Sequence, residues 1–142
     1  MPNWIKNSVN VCVPKGVDKE RLREFQELVG DEFSFERIAP MPEKLNQEEI
    51  ELEKIPWNYV PEWYTWRLEN WGCKWDSSEV TFIYDHNDFA PRGLGEVMLE
   101  CFFNTPWSPP EAICAKLRHD FPDLLIQWIW YDMDDFDGCF LL

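Results

Sequence analysis

Basic residues are scarce in this sequence. Its 142 residues include 13 Lys and Arg against 27 Asp and Glu, which gives a formal net charge of -14. Proteins that bind nucleic acid or anionic lipid without specificity use clustered Lys and Arg to contact phosphates. The charge therefore argues against direct binding to nucleic acid or to a membrane surface.

Long apolar segments are also absent from the sequence. It has no run of about 18 apolar residues, which a membrane-spanning helix would need. The first residues, Met-Pro-Asn-Trp-Ile-Lys-Asn, are not a basic start followed by an apolar stretch. We therefore expect a cytoplasmic protein.

Residue types that carry catalysis or bind metals are few. The 2 His residues, His86 and His119, lie in different predicted elements, and His119 follows Cys114 by five residues, a spacing that does not share a helix face well. The sequence has no Gly-rich phosphate loop, G-x-S-x-G turn or H-E-x-x-H motif. We predict no catalytic residue, metal site or cofactor, and hence a protein that is not an enzyme.

The cysteines give no sign of a disulfide framework or a zinc site, because they are odd in number and never form a C-x-x-C pair. We expect reduced and mostly buried thiols. The five residues are Cys12, Cys73, Cys101, Cys114 and Cys139.

Large apolar residues, by contrast, are abundant. Hydrophobic residues make up 45% of the chain and aromatic residues 16%, including 9 Trp. Disordered acidic chains lack such groups, because burial of apolar area is what offsets the entropy of folding. The length suits one hydrophobic core, so we predict a single folded domain over residues 1–142.

The hydrophobic pattern predicts an α+β fold. Strands are expected where apolar residues alternate or form short β-branched and aromatic runs, and helices where they recur three and four residues apart. The predicted strands are 9–13, 79–85, 97–103, 124–131 and a short closing strand 139–142, and the predicted helices are 18–29 and 109–120. Ser108 and Glu111 are expected to form a capping box at the second helix.

Residues 31–77 are predicted to form a helical, Trp-rich insertion between the first helix and the second strand. Within it, a short strand or extended loop is expected around 33–35, and helices at 47–54 and 61–70. The remaining elements follow the order β-α-β-β-α-β, the ferredoxin-like arrangement in which two helices cover one face of an antiparallel sheet. The other face then needs cover from the insertion or from a partner.

The insertion holds the densest group of aromatic residues in the chain. Large aromatic side chains dominate both protein cores and interface hot spots, so two interpretations stay open: the group covers the open sheet face, or it forms an exposed recognition surface. Its members are Trp57, Tyr59, Trp63, Tyr64, Trp66, Trp71 and Trp75.

Several blocks together resemble a known family. They are Met-Pro-Asn-Trp with Asn7, Phe-x-x-Ile-x-Pro-Met-Pro at 35–42, Trp-Arg-Leu-Glu-Asn-Trp-Gly-Cys-Lys-Trp-Asp at 66–76, Phe-Asn-Thr-Pro-Trp-Ser-Pro-Pro at 103–110, and Phe-Pro-Asp-Leu at 121–124. The chain resembles the uncharacterised plasmid- and phage-encoded proteins with a YubB-type ferredoxin-like domain, although Ile5 and Cys73 depart from the pattern. The resemblance implies a ferredoxin-like fold and a mobile-element origin, and it implies no known reaction.

Acidic residues concentrate in two zones, 31–62 and 79–142, on either side of a neutral, Trp-dense block. The turn at 132–138 is not an EF-hand loop, because Met133 occupies the first ligand position and the chain ends before the twelfth. Carboxylates in these zones are candidates for imitating a phosphate backbone towards a basic groove. The predicted partner-binding residues are Glu43, Glu48, Glu49, Glu51, Glu53, Asp132, Asp134, Asp135, Asp137, Trp57 and Trp63.

The leading functional hypothesis is a non-enzymatic phage or plasmid protein, in the host cytoplasm, that binds and inhibits a basic, nucleic-acid-binding host protein. It would act as a DNA mimic against a defence system such as CRISPR or restriction. The first alternative is a structural or regulatory protein that forms a homodimer through its Trp-rich face. A second alternative is a small metal-dependent enzyme that uses the C-terminal aspartates.

Overall fold

The computed structural model describes residues 3–46, 58–84, 96–132 and 138–141. Within them the chain alternates short helices with the strands of one sheet. The elements in chain order are β1 (Trp4–Val13), α1 (Glu20–Val29), α2 (Phe35–Ile38), α3 (Glu43–Asn46), α4 (Glu62–Asn70), β2 (Ser78–Tyr84), β3 (Glu96–Pro106), α5 (Glu111–Asp120), β4 (Leu125–Asp132) and β5 (Gly138–Phe140).

The five strands form one antiparallel sheet in the order β2-β3-β1-β4-β5. The central strand β1 pairs with β3 on one side and with β4 on the other. The predicted α+β class is confirmed. The strand order differs from that of the four-stranded sheet of the predicted β-α-β-β-α-β arrangement. The difference is the closing strand β5, which pairs with β4 at one edge.

Strand β1 begins earlier than its valines indicate. Ile5, Val9 and Val11 are buried and point to the core, whereas Lys6 and Ser8 are half-buried on the opposite face, as the two-residue period of a strand requires. The prediction started the strand at residue 9 because a polar residue, Asn7, occupies an inward-facing position.

The helices α1, α2 and α5 contribute their buried side chains to a single core on one face of the sheet. Phe33 stacks on Phe103 with ring centroids 4.8 Å apart, and Trp128 meets both rings edge-on. Truncating a fully buried aromatic residue of this kind to Ala costs about 3–5 kcal/mol. The aromatic cluster is therefore a principal source of stability.

Helix α1 has the C-terminus that the sequence predicts. Gly30 adopts a left-handed φ of 68° and its amide donates to Gln26 O at 2.9 Å. Helix α5, however, lacks the predicted capping box and begins at Glu111. The Ser108 hydroxyl donates instead to Gly72 O at 2.7 Å, a partner far away in sequence.

The expectation of a strand or extended loop around residues 33–35 is wrong, because Phe35 opens helix α2. Two side chains cap this helix. The Ser34 hydroxyl accepts a hydrogen bond from the Arg37 amide at 3.3 Å. The Asp76 carboxylate accepts from the Phe35 amide at 2.7 Å, the Ser34 hydroxyl at 3.1 Å and the Glu36 amide at 3.2 Å. These amides have no partner within so short a helix. A carboxylate 41 residues away supplies it.

The described part of the 31–77 segment packs with the helices. Trp71 is buried against Phe35 with centroids 6.0 Å apart, and its indole N–H donates to Ala39 O at 2.9 Å. The interpretation that the aromatic group covers the open sheet face is therefore wrong for Trp71. The helix predicted at 61–70 is confirmed as α4, and the one predicted at 47–54 lies outside the described residues.

Among the helices in the described ranges, none combines the length and the apolar character that crossing a bilayer requires.

The first prediction concerns Asp76. We expect Asp76→Ala to lower the free energy of unfolding by about 1–2 kcal/mol, because several backbone and hydroxyl donors around α2 lose their acceptor. Chemical denaturation measures the change. Asp31→Ala removes an exposed carboxylate from the same segment and should change the value by less than about 0.5 kcal/mol; equal effects of the two changes would contradict the capping role of Asp76.

The second prediction concerns pH. Arg21 donates to both oxygens of Asp123, at 2.8 and 3.0 Å, which lowers the pKa of that carboxyl. A carboxyl group whose pKa is lower in the folded than in the unfolded state stabilises the fold at pH values above its ordinary pKa of about 3.9. This stabilisation is lost as the pH falls through the pKa of the folded state. Asp123→Asn should therefore destabilise the protein at pH 7, and its difference from the wild type should shrink as the pH falls below the ordinary pKa of a carboxyl group. Thermal unfolding across this range tests the expectation, which a constant difference would contradict.

Candidate partner-binding surface

Three tryptophans lie at the end of the sheet where β1 begins and where β3 and β4 end. Trp4 pairs with Pro106 across the strands, and the ring of Trp4 lies 6.4 Å from that of Trp75. Trp107 directly follows Pro106. We call Trp4, Trp75 and Trp107 the aromatic edge.

Trp107 is the most exposed of the three, at 60% against 39% for Trp75. Its backbone is left-handed, with φ of 68°, a conformation that is rare for a bulky residue and costs about 1 kcal/mol or more. In the described part of the chain its ring makes no contact with another ring or with a cation. Phe33 in the core and Glu79 also have a positive φ, so Trp107 stands out by the combination of this backbone with a large exposed ring.

The turn that carries Trp107 is held by hydrogen bonds on both sides. The Trp107 amide donates to Asn3 O at 2.7 Å, the Ser108 amide donates to Pro106 O at 2.8 Å, and the Thr105 hydroxyl donates to Ser108 O at 2.8 Å. The exposed indole therefore stands on an anchored backbone.

A close approach of two backbones fixes the loop beside this turn. Gly72 has φ of 89°, and a Cβ atom there would lie 2.7 Å from the amide nitrogen of Glu111. No other residue fits without a shift of the helix start. Together with the bond from Ser108 to Gly72 O, this contact joins the loop that holds Trp75 to the turn that holds Trp107.

Basic side chains of the protein already occupy several aromatic faces. The Arg67 guanidinium lies between Trp63 and Trp71, 4.9 and 4.8 Å from their centroids, and Lys74 lies 4.9 Å from the centroid of Trp75. Trp63, which the sequence predicts as a binding residue, is half-buried and serves this internal contact. Cation–π contacts of this kind are worth about 0.5–2 kcal/mol each.

Of the predicted acidic residues, the structure describes Asp132 and Glu43. Asp132 is half-buried at the end of β4, where it accepts a hydrogen bond from the Asn3 side-chain amide at 2.6 Å. Glu43 is exposed at the start of α3, which packs against α4. No contact joins the two carboxylates among the described residues. The other predicted site residues lie outside them: Glu48, Glu49, Glu51, Glu53, Trp57, Asp134, Asp135 and Asp137.

The expectation of mostly buried thiols is confirmed. All five cysteines are free, and only Cys139 among them is exposed. Burial raises the pKa of Cys73 to about 12 and that of Cys114 to about 11, and it also raises the pKa values of Cys12 and Cys101. Buried neutral thiols are poor nucleophiles.

The other titratable groups give no metal site in the part of the chain that is described. No group of three or more His, Cys, Asp or Glu side chains is arranged to hold an ion there. His119 lies beside Asp120, with Nδ1 3.2 Å from a carboxylate oxygen, and His86 is outside the described residues.

Sequence reasoning missed two residues of this surface, Trp107 and Asn3. Asn3 contacts both the Trp107 amide and the Asp132 carboxylate, so it joins the aromatic edge to a predicted acidic residue. A signal for Trp107 was present, because a Trp between Pro106 and Pro109 sits in a turn, where it has no helix or strand face to bury it.

Comparison of the chain with family models, with curated proteins and with solved structures gives no match.

The third prediction tests the thiols. A thiol reagent such as DTNB at pH 8 should react quickly with one thiol per native chain, and Cys139→Ser should abolish this fast phase, because the other thiols are buried. Unfolding in guanidinium should release the rest. Fast reaction that survives in Cys139→Ser would contradict the burial of Cys12, Cys73, Cys101 and Cys114.

Proposed function

We propose that this protein is not an enzyme and that it binds and inhibits a basic, nucleic-acid-binding protein. Its acidic surface would occupy the partner's nucleic-acid site as a DNA mimic, in the manner of a mobile-element protein directed at a host defence system such as CRISPR or restriction. The observation that carries the proposal is the combination of a net charge of -14 with a strained, exposed Trp107 on an anchored turn.

The charge supports the choice of a basic partner. An excess of carboxylates attracts a basic groove over distances of about a Debye length and speeds the encounter. Charge alone gives little specificity, whereas a large aromatic residue on a rigid backbone supplies the desolvated contact typical of an interface hot spot. The two features therefore suit successive steps of one binding event.

We also propose that the chain is a YubB-type, ferredoxin-like protein of plasmid or phage origin that acts in the host cytoplasm. The succession of β1, α1, β2, β3, α5 and β4 supports the fold, with β5 added beside β4. The motif residues that carry the resemblance make specific contacts: Asp76 caps α2, Gly72 permits the close approach to α5, and Trp71 fills the core.

The fourth prediction tests the function by affinity capture. The tagged protein, incubated with host lysate, should retain a basic, nucleic-acid-binding protein, and rising salt should release it because the contact is largely ionic. Recovery of no such protein, or binding that salt does not affect, would overturn the proposal.

A matched pair of variants separates the acidic zone from total charge. Glu48, Glu49 and Glu51 changed to Gln should reduce recovery of the partner. The same substitution of the exposed α1 residues Glu20, Glu24 and Glu27 removes an equal charge and should leave recovery near the wild-type level. Equal losses in both variants would show that charge at large, and not the predicted zone, drives the capture.

Self-association is the second candidate function. Phe140 is 61% exposed on the edge strand β5, and Trp75 and Leu68 also expose apolar area. Exposed apolar side chains at a sheet edge favour pairing with a second chain. A salt-resistant homodimer in light scattering would favour this function over the acidic mimic.

A further inference from the structure

We infer that the aromatic edge binds the guanidinium group of an arginine side chain, with the Trp107 indole as the stacking surface and Asp132 as the counter-charge. The inference rests on the proposed function, since it names the group through which a basic partner makes contact. It assigns a ligand chemistry to a surface that the acidic residues alone do not specify.

The first argument is the way in which this protein uses its own cations. Arg67 stacks between Trp63 and Trp71, and Lys74 lies over Trp75. Arg21 likewise lies 4.7 Å from the ring centroid of Phe121.

Trp107 has the same kind of ring, yet no cation of the described chain lies on it and 60% of the residue is exposed. The ring is therefore open to a cation of a partner, which the excess of 27 acidic over 13 basic residues would attract.

The second argument is the position of Asp132. The Trp107 backbone amide donates a hydrogen bond to Asn3 O at 2.7 Å, and the Asn3 side-chain amide donates to Asp132 Oδ2 at 2.6 Å. Asn3 therefore links the backbone of Trp107 to the Asp132 carboxylate at the same end of the sheet. A guanidinium suits such a pair, because its flat face stacks on an aromatic ring while its N–H groups donate to a carboxylate.

The third argument is preorganisation. Hydrogen bonds to Asn3, Pro106 and Thr105 already hold the turn, so little backbone entropy is lost when a ligand binds. The backbone at Trp107 is left-handed, which lowers stability. Its indole is exposed, and among the described residues no ring or cation contacts it. Both features are expected of a contact built for a ligand.

Arginine is favoured over lysine. The ammonium group of Lys is compact and strongly hydrated, whereas the planar guanidinium is more weakly hydrated and keeps its hydrogen bonds in the plane while it stacks. The surface should therefore distinguish two peptides of equal charge.

The test uses the full-length protein with two probes, hexa-arginine and hexa-lysine, titrated at low salt by isothermal calorimetry. The wild type should bind hexa-arginine more tightly than hexa-lysine. Trp107→Ala should weaken hexa-arginine binding about fivefold, the ratio expected for one exposed cation–π contact, and should affect hexa-lysine less. Trp107→Phe, which keeps an aromatic face, should retain most of the affinity.

Two further variants complete the design. Asp132→Asn removes the negative charge and should also weaken hexa-arginine binding. The side-chain oxygen of the new Asn can still accept the hydrogen bond from the Asn3 side-chain amide. Leu125→Ala removes an exposed apolar side chain, 40%, from the opposite end of β4 and should leave the affinity unchanged. Thermal unfolding of each variant verifies that the fold persists.

The outcomes separate the inference from the proposed function. If hexa-arginine binds but Trp107→Ala has no effect, or if Leu125→Ala weakens binding equally, the inference is overturned while an acidic, partner-binding protein remains. If neither peptide binds and the lysate yields no basic protein, the inference and the proposed function fail together.

Discussion

A buried chain of hydrogen bonds at the centre of the sheet connects the core to the protein's surface. Asn7 is fully buried in β1, accepts a bond from the Trp128 indole at 3.0 Å and donates to the Thr105 hydroxyl at 3.0 Å. Thr105 in turn donates to Ser108 O, and Ser108 donates to Gly72 O. Each member left without its partner would cost about 1–3 kcal/mol. This series of hydrogen bonds therefore fixes the register of β1 against β3 and β4, and it also positions the turn that carries Trp107.

Several of the basic side chains also make contacts within the protein. With an acidic excess, the protein could leave its few cations on the surface, yet Arg67, Lys74 and Lys6 lie against aromatic rings. The contacts of Arg67 with Trp71 and of Lys74 with Tyr64 join α4 to the loop that follows it. Lys6 on β1 lies near the rings of Phe102 on β3 and Tyr131 on β4. These cations therefore connect neighbouring elements of the fold.

Local patterns were enough to predict the strands and the longer helices, because side-chain period and glycine caps are properties of short segments, as in α1 with Gly30. They failed where a distant residue decides the local structure. Asp76 helps to cap a helix in the segment predicted as extended around Phe35, and Gly72 takes the Ser108 hydroxyl that was expected to cap α5. The inward-facing Asn7 likewise concealed half of β1, since its partners lie on other strands.

The candidate site follows the same logic, with one difference. Asp132 was predicted from charge, whereas Trp107 was not, because its place in a proline-flanked turn indicates exposure but does not by itself indicate binding. Its neighbours in the same motif, Thr105 and Ser108, have internal partners that account for them. The Trp107 ring has none in the described chain, and its left-handed backbone lowers stability by about 1 kcal/mol. The hydrogen bonds of the turn hold this backbone in place, so the indole is exposed before any ligand binds, as the proposed contact with arginine requires.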